Sequence, residues 1–226
     1  MELRKEHEKH RELWNRRTSA RSKALPQFRF QTDFYQRYHE LIREPIIDVG
    51  CGDGEMLELM IKDGREDVYG IDISDVAVEM ARTRLRPCLG DETDSRIMAG
   101  DMANLSHYYE AGFFNTIVCE GTFHQTTYEG ARLTAVEMAR ITSNGALVYV
   151  SVRSCSTPPE NAEELEEMGT YRLRDEGGVV RCYFSKEGLT SLFREWFDVL
   201  ELDEKELIMR IGQQHYKMWT LIMRRR

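Results

Sequence analysis

Ile46-Ile47-Asp48-Val49-Gly50-Cys51-Gly52-Asp53-Gly54-Glu55 sets the frame for the rest of the chain. A short apolar run empties into three alternate glycines, and an amphipathic stretch opens directly behind them. Strand, tight turn and helix in that order mark the place where an open α/β sheet binds ligands, at the carboxyl end of its first strand. The glycines let the backbone turn sharply and lie against a ligand with no Cβ between. Dinucleotide sites instead space their glycines G-x-G-x-x-G, so that a helix N-terminus meets a pyrophosphate. Here Glu55 stands three residues after Gly52, and its charge opposes a phosphate. Asp48, just before the turn, suits a ligand with a cationic end.

Outward from this turn, strands and helices alternate. Upstream, Phe34, Tyr35, Tyr38, Leu41 and Ile42 recur at helical spacing and predict a helix over 31–43, which Pro45 stops. Residues 1–23 are polar and helix-prone, so 1–44 is expected to form a helical arm or lid on a domain covering 45–226. Downstream, 55–62 predicts a helix and 68–73 a second strand, after which Ser74 caps a helix built on Val76, Val78, Met80, Ala81 and Leu85. Residues 96–99 give a third strand. Residues 115–119 give a fourth, apolar on both faces as a central parallel strand should be. A helix over 129–141 should end in a C-cap at Ser143-Asn144-Gly145, before a fifth strand over 146–152. Pro87-Cys88 is expected in the loop after the second of these helices. Residues 154–184, polar and then extended from 171, read as a substrate-side insertion. Ser185 caps a last helix, and 197–202 and 218–223 close the chain as two strands joined by a loop. The expected fold is α/β: seven strands, mostly parallel with one antiparallel, helices on both faces, and an N-terminal helical arm.

Two more acids fall at strand ends. Asp72 closes the second strand and can accept hydrogen bonds from both hydroxyls of a ribose. Asp101 follows the third strand and can accept from an adenine amino group, with the Met102 N–H beside the ring and Ile73 on its face. A nucleoside with a cationic, phosphate-free tail fits this set, and S-adenosylmethionine is one. Across residues 46–223 the chain resembles the class I S-adenosylmethionine-dependent methyltransferases. The 48–54 turn looks like that family's first motif, Asp72 like its ribose acid and Asp101 like its adenine acid. The resemblance implies a cofactor contact set of Asp48, Gly50, Cys51, Gly52, Gly54, Asp72, Ile73, Asp101, Met102 and Glu120, S-adenosylhomocysteine as product, and no metal. Asn144-Gly145 departs from the family's usual Pro-Gly-Gly, a difference confined to a turn.

A sulfonium already makes its methyl group electrophilic, so the protein need supply mainly alignment and proton handling. Glu120, at the end of the fourth strand, faces the ligand crevice and is one catalytic candidate. His124, as a general base, is the other. Tyr35, Tyr38, Gln125, Tyr128 and Glu129 are candidates for acceptor contacts. Cys119-Glu120 and Tyr128-Glu129 resemble the double-glutamate loop of protein arginine methyltransferases, where two carboxylates grip a guanidinium; Glu129 equally suits a helix start, where acids are favoured. Tyr171-Arg172-Leu173-Arg174-Asp175 with Tyr183-Phe184 looks like a segment of tRNA 3-methylcytidine methyltransferases, with Arg16, Arg17, Arg21 and Lys23 as the RNA contacts. A non-catalytic scaffold of the same fold and a nicotinamide enzyme complete the alternatives. The intact acids and glycines weigh against the first, the glycine spacing against the second. A small-molecule acceptor is the favoured expectation.

Composition narrows the setting. The net charge of −8 is uneven: residues 1–29 hold nine Lys and Arg against four Glu. The acidic remainder repels nucleic-acid phosphates, and the closing Arg224-Arg225-Arg226 is expected as a frayed end. Five cysteines lie 27 to 37 residues apart, with no C-x-x-C pair for zinc or redox work. No apolar run approaches the roughly 18 residues of a membrane span. No apolar core follows the charges of Met1–His7 as in a secretory leader, so a cytoplasmic address is expected.

Overall fold

The computed structural model describes residues 2–20, 30–165, 169–173, 176–208 and 215–226. Two helices precede the sheet, α1 (Glu2–Ala20) and α2 (Phe30–Tyr38). The alternating body runs β1 (Ile46–Val49), α3 (Glu55–Lys62), β2 (Val68–Asp72), α4 (Asp75–Leu89), α5 (Thr93–Arg96), β3 (Ile97–Ala99), β4 (Phe114–Glu120), α6 (Tyr128–Ile141) and β5 (Thr142–Arg153). Three short strands follow, β6 (Ala162–Glu164), β7 (Thr170–Leu173) and β8 (Val179–Cys182), then α7 (Lys186–Phe193), β9 (Phe197–Ile208) and β10 (His215–Arg225).

Seven strands form one sheet in the order β3-β2-β1-β4-β5-β10-β9. Only β10 runs against its neighbours, pairing antiparallel with β5 and with β9. The chain leaves β1 toward β2 and β3, then returns to place β4 on the other side of β1, so the strand order reverses between β1 and β4. Such a reversal opens a crevice at the carboxyl ends of those strands.

Strand alternation divides the core in two. Ile47, Val49, Ile117, Cys119, Val148, Val150 and Val152 face one side and pack with α6 and α7. Ile46, Val118, Leu147, Tyr149 and Ile222 face the other, against Phe34 and Tyr35 of α2, Met56, Leu57 and Met60 of α3, and Val78, Ala81 and Leu85 of α4. The register pairs Asp48 with Val118, and Glu120 with Ser151. It then pairs Ser151 with Thr220, and Arg153 with Met218. Asp48, Glu120, Arg153 and Tyr216 therefore belong to one face of the sheet, near its carboxyl edge.

Several local expectations are revised. The helix expected over 31–43 stops at Tyr38, and one 3-10 turn, His39–Leu41, follows it. Ser143-Asn144-Gly145 is not a helix C-cap: Thr142 is already extended, and β5 begins there with an irregular register against β4. Pro87 lies inside the last turn of α4 instead of in a loop. The extended segment from 171 is two strands, β7 and β8, of a small antiparallel sheet with β6. The closing arginines are held: Arg225 donates to the Trp196 carbonyl, and Arg226 pairs with Asp198 at 2.7 Å. No helix among the described residues is long and apolar enough to cross a membrane.

Candidate cofactor and acceptor site

The turn after β1 is built around its glycines. Gly50, Gly52 and Gly54 all take positive φ, at 84°, 55° and 79°, a region that side chains with a Cβ enter at a cost. A Cβ on Gly50 would fall 2.1 Å from Thr122 Oγ1, so this residue lets the loop after β4 close on the turn. Around Gly52 the position of a Cβ is open, with no atom within 4 Å. There the bare backbone faces space into which a ligand can come close. Cys51 is buried beneath the turn, its thiol pushed well above the ordinary range by burial and by the Asp72 and Asp48 charges.

The three acids share one rim. The Gly100 N–H donates to the Asp72 carbonyl at 2.9 Å, which sets Asp101 beside the end of β2. Asp72 fixes the turn as well as lining it, since its two oxygens accept from the Gly52 N–H at 2.9 Å and the Ser74 N–H at 2.8 Å. Asp101 accepts from the Ala103 N–H and caps the 3-10 turn that begins at Met102. Asp48 stands apart: it is 1% exposed and neither carboxylate oxygen has a hydrogen-bond partner. Burial, with the Asp72 charge behind it, raises its pKa to about 7. Glu120 is in a similar condition, with an enclosed Oε2 that has no partner. Burial first and the Asp48 charge second push it up to about 8, although a hydrogen bond from Tyr149 pulls the other way.

Unpaired buried carboxylates are costly to ionise, and an opposite charge beside them removes most of that cost. Asp48 and Glu120, at the ends of adjacent central strands, thus make a place for a cation. Together with the open Cβ position of Gly52 and the acceptors on Asp72 and Asp101, this donor set fits S-adenosylmethionine, whose tail is cationic and whose head is an adenosine. Among the described residues no group of three or more His, Cys, Asp or Glu could hold a metal ion.

Helix α1 packs over this rim through contacts that no local sequence pattern encodes. His7 Nδ1 makes a short hydrogen bond to Asp101, and its Nε2 meets Thr126 Oγ1 at 2.9 Å. Burial raises the Asp101 carboxyl, but the His7 hydrogen bond and charge outweigh it and hold the group below its ordinary value. Arg11 Nε donates to the Ile73 carbonyl, and Asn15 Oδ1 accepts from the Ser74 hydroxyl at 2.8 Å. Arg17 turns inward to Glu176 at 2.9 Å, while Arg21 and Lys23 of the basic arm, with Arg174 and Asp175, lie outside the described residues.

The remaining candidates separate. Tyr35 donates to Asp63 at 2.6 Å and Tyr38 to Glu201 at 2.5 Å, so both hydroxyls are engaged at the α2 side of the sheet. Tyr128 packs toward Phe184 on the opposite face. Glu129 is forked by Arg132 on its own helix, both contacts 2.8 Å, and does not turn to Glu120. Gln125 accepts from Arg181 Nε at 2.6 Å through its Oε1. Its amide nitrogen therefore faces His124 Nε2 at 3.1 Å and donates to it. That places the His124 proton on Nδ1, which is buried and has no partner. Burial and the Arg153 and Arg181 charges hold His124 neutral. In this arrangement it presents an N–H donor, not the free lone pair a general base needs.

A family model described as a methyltransferase domain matches residues 46–145. A protein from Haemophilus influenzae that carries the name "Uncharacterized protein" is 26% identical over 149 residues, 62% of this chain and 58% of that protein. This chain thus matches less than two thirds of its curated relative's length. A solved S-adenosylmethionine-dependent methyltransferase from Methanosarcina mazei superposes with a TM-score of 0.67 at 21% identity, covering 84% of this chain and 97% of that one. The magnesium protoporphyrin IX methyltransferase of Synechocystis, solved with bound S-adenosylmethionine, gives 0.64 at 15% identity over 98% and 97%. Geranyl diphosphate C-methyltransferase of Streptomyces coelicolor gives 0.68 at 9% identity over 98% of both chains. The chain has the fold of the class I S-adenosylmethionine-dependent methyltransferases. Residues 46–145 are the part of it that is similar to a methyltransferase domain.

Proposed function

We propose that this protein binds S-adenosylmethionine at the rim formed by Asp48, Gly52, Asp72 and Asp101 and transfers its methyl group to a nitrogen or oxygen of a small acceptor. The observation that carries the reading is the buried Asp48, with no partner on either oxygen, beside Glu120, whose enclosed Oε2 also has none, at the carboxyl ends of β1 and β4. When bound, the cofactor supplies a methyl group that its sulfonium has already made electrophilic. The protein's work is then placement and proton handling. Asp72 and Asp101 fix the nucleoside by its ribose and adenine, and Asp48 holds the cationic tail. Glu120, on the acceptor side, receives the proton that an amine or hydroxyl releases as it is methylated. A carboxylate whose pKa is raised toward neutrality is well matched to that task. The small acceptor follows from the roof: α1 and the β6–β8 sheet cover the carboxyl edge of the main sheet, Leu13 of α1 packing on Leu173 of β7 and Val179 of β8.

Labelled methyl transfer from S-adenosylmethionine to pools of small amines, phenols and acids tests the reading. Transfer to at least one pool is expected, and Glu120→Gln should lower kcat by about a hundredfold while leaving S-adenosylhomocysteine affinity within a few fold. A Glu120→Gln enzyme with undiminished turnover would remove this residue from proton transfer.

A further inference from the structure

Next to Glu120 lies a group of cationic and polar side chains that no step above uses. Arg153 closes β5 on the same face as Asp48 and Glu120, and its guanidinium carbon sits 3.5 Å from the centre of the Tyr216 ring. No carboxylate pairs with it and no acceptor takes its N–H groups among the described residues. Arg181, by contrast, is 6% exposed and fully engaged by Gln125 and Glu176. His124 is 2% exposed and presents a buried Nδ1–H without a partner. The tautomer is dictated by the chain Arg181 to Gln125 to His124, because guanidinium can only donate. His124 feels the Arg153 charge, and Tyr216 feels both Arg153 and Glu120. In the backbone the Cys182 N–H donates to the His124 carbonyl at 3.0 Å and the Phe184 N–H to the Arg153 carbonyl at 2.9 Å, so His124 and Arg153 flank one short stretch at the carboxyl edge of the sheet.

A desolvated N–H donor and a guanidinium with no counter-ion among the described residues form half of a charge-assisted hydrogen-bond set, and what completes it is an anion with two acceptor oxygens. We infer that the methyl acceptor carries a carboxylate, held by Arg153 and the His124 Nδ1–H, with its nucleophilic atom directed toward Glu120. The inference rests on the cofactor reading above and names the substrate class of the same site. Tyr216 lies against one face of the guanidinium and leaves its in-plane N–H fork open, a geometry that meets the two coplanar oxygens of a carboxylate. Tyr216 and the neighbouring Tyr183, which also lies within reach of Arg153 and Arg181, offer ring surface to a flat acid.

The test uses calorimetric titration of the S-adenosylhomocysteine-loaded protein with matched probes: benzoate against benzamide, salicylate against salicylamide, and phenyl phosphate. The acids should bind at least tenfold more tightly than their amides. Arg153→Gln should erase that preference, Arg153→Lys should restore part of it, and His124→Asn should weaken the acids without affecting the amides. Equal binding of acid and amide, no binding of either, or a preference for phenyl phosphate would each overturn the inference. So would Arg153→Gln weakening S-adenosylhomocysteine itself by the same factor, because the guanidinium would then serve the cofactor's own carboxylate. Loading is checked first by its own heat. If that heat is missing, the cofactor reading fails on its own account, and the acid–amide comparison is read on the unloaded protein, where the same preference is expected.

Discussion

Asp48 and Asp72 stand two strand-ends apart in function as well as in place. Asp48 has no hydrogen-bond partner among the described residues, so it is available to a ligand; Asp72 holds two backbone N–H groups and so shapes the turn that the ligand meets. A hydrogen bond to a charged group contributes about 1.5–3 kcal/mol, and Asp72 has a ribose to hold besides the turn. Asp72→Ala is therefore expected to weaken S-adenosylhomocysteine about a hundredfold, read by calorimetry, with the far-ultraviolet circular dichroism unchanged. Unchanged affinity would take the ribose role from Asp72. Gly52 separates fit from fold differently. An alanine there pays roughly 1–2 kcal/mol for its positive φ, yet its methyl meets only open space. Gly52→Ala should melt at a slightly lower temperature and lose cofactor affinity by a much larger factor. A variant that melts lower but binds normally would mean that no ligand approaches this backbone.

Among the elements, α1 is the one whose contacts lay hidden in the sequence. Its helix was legible from composition. What it covers was not, because His7, Arg11 and Asn15 reach Asp101, Ile73 and Ser74 across 59 or more residues of sequence. No local pattern encodes such contacts. The strands were legible for the opposite reason: apolar runs ending in Asp48, Asp72 and Glu120 carry their burial and their edge in a few consecutive residues. Arg153 ends its strand in the same way, and a cation in that place was the overlooked counterpart of those acids. Strands β7 and β8 were read as one extended segment, and β6 as polar chain, because their turns fall at polar stretches where alternation is weak. Asn15 offers a test of the roof. Its Oδ1 accepts from both Ser74 Oγ and the Val76 N–H, and two neutral hydrogen bonds together contribute about 1–3 kcal/mol. Asn15→Ala should speed amide exchange in α1 by about tenfold or more while the β1 and β4 amides keep their protection. Unaltered exchange in α1 would show that other contacts hold the helix in place.

For the molecule as a whole, two raised carboxyls near neutrality leave a signature in stability. Asp48 rises from 3.8 to about 7 and Glu120 from 4.5 to about 8. Above their ordinary values the unfolded chain has given up these protons while the folded chain still holds them, so stability falls as pH rises until the folded pKa values are passed. Below about 6.5 the buried neutral His10, pulled down to about 4, acts in the opposite sense, because only the unfolded chain takes up its proton. The cofactor-free protein should therefore lose melting temperature between about pH 6.5 and pH 8, and Glu120→Gln should flatten that slope. A melting temperature that climbs over this interval in the wild type would mean that neither carboxyl is raised.

The same two groups give the most direct test of the cation pocket itself. S-adenosylmethionine is titrated into the protein at pH 7 in two buffers of different ionisation enthalpy. A cation seated between Asp48 and Glu120 must drive off the protons they hold, so saturable binding should be accompanied by proton release, seen as an apparent enthalpy that shifts with the buffer. Binding with no exchange of protons, or no binding at all, would contradict the pocket on which every other step depends.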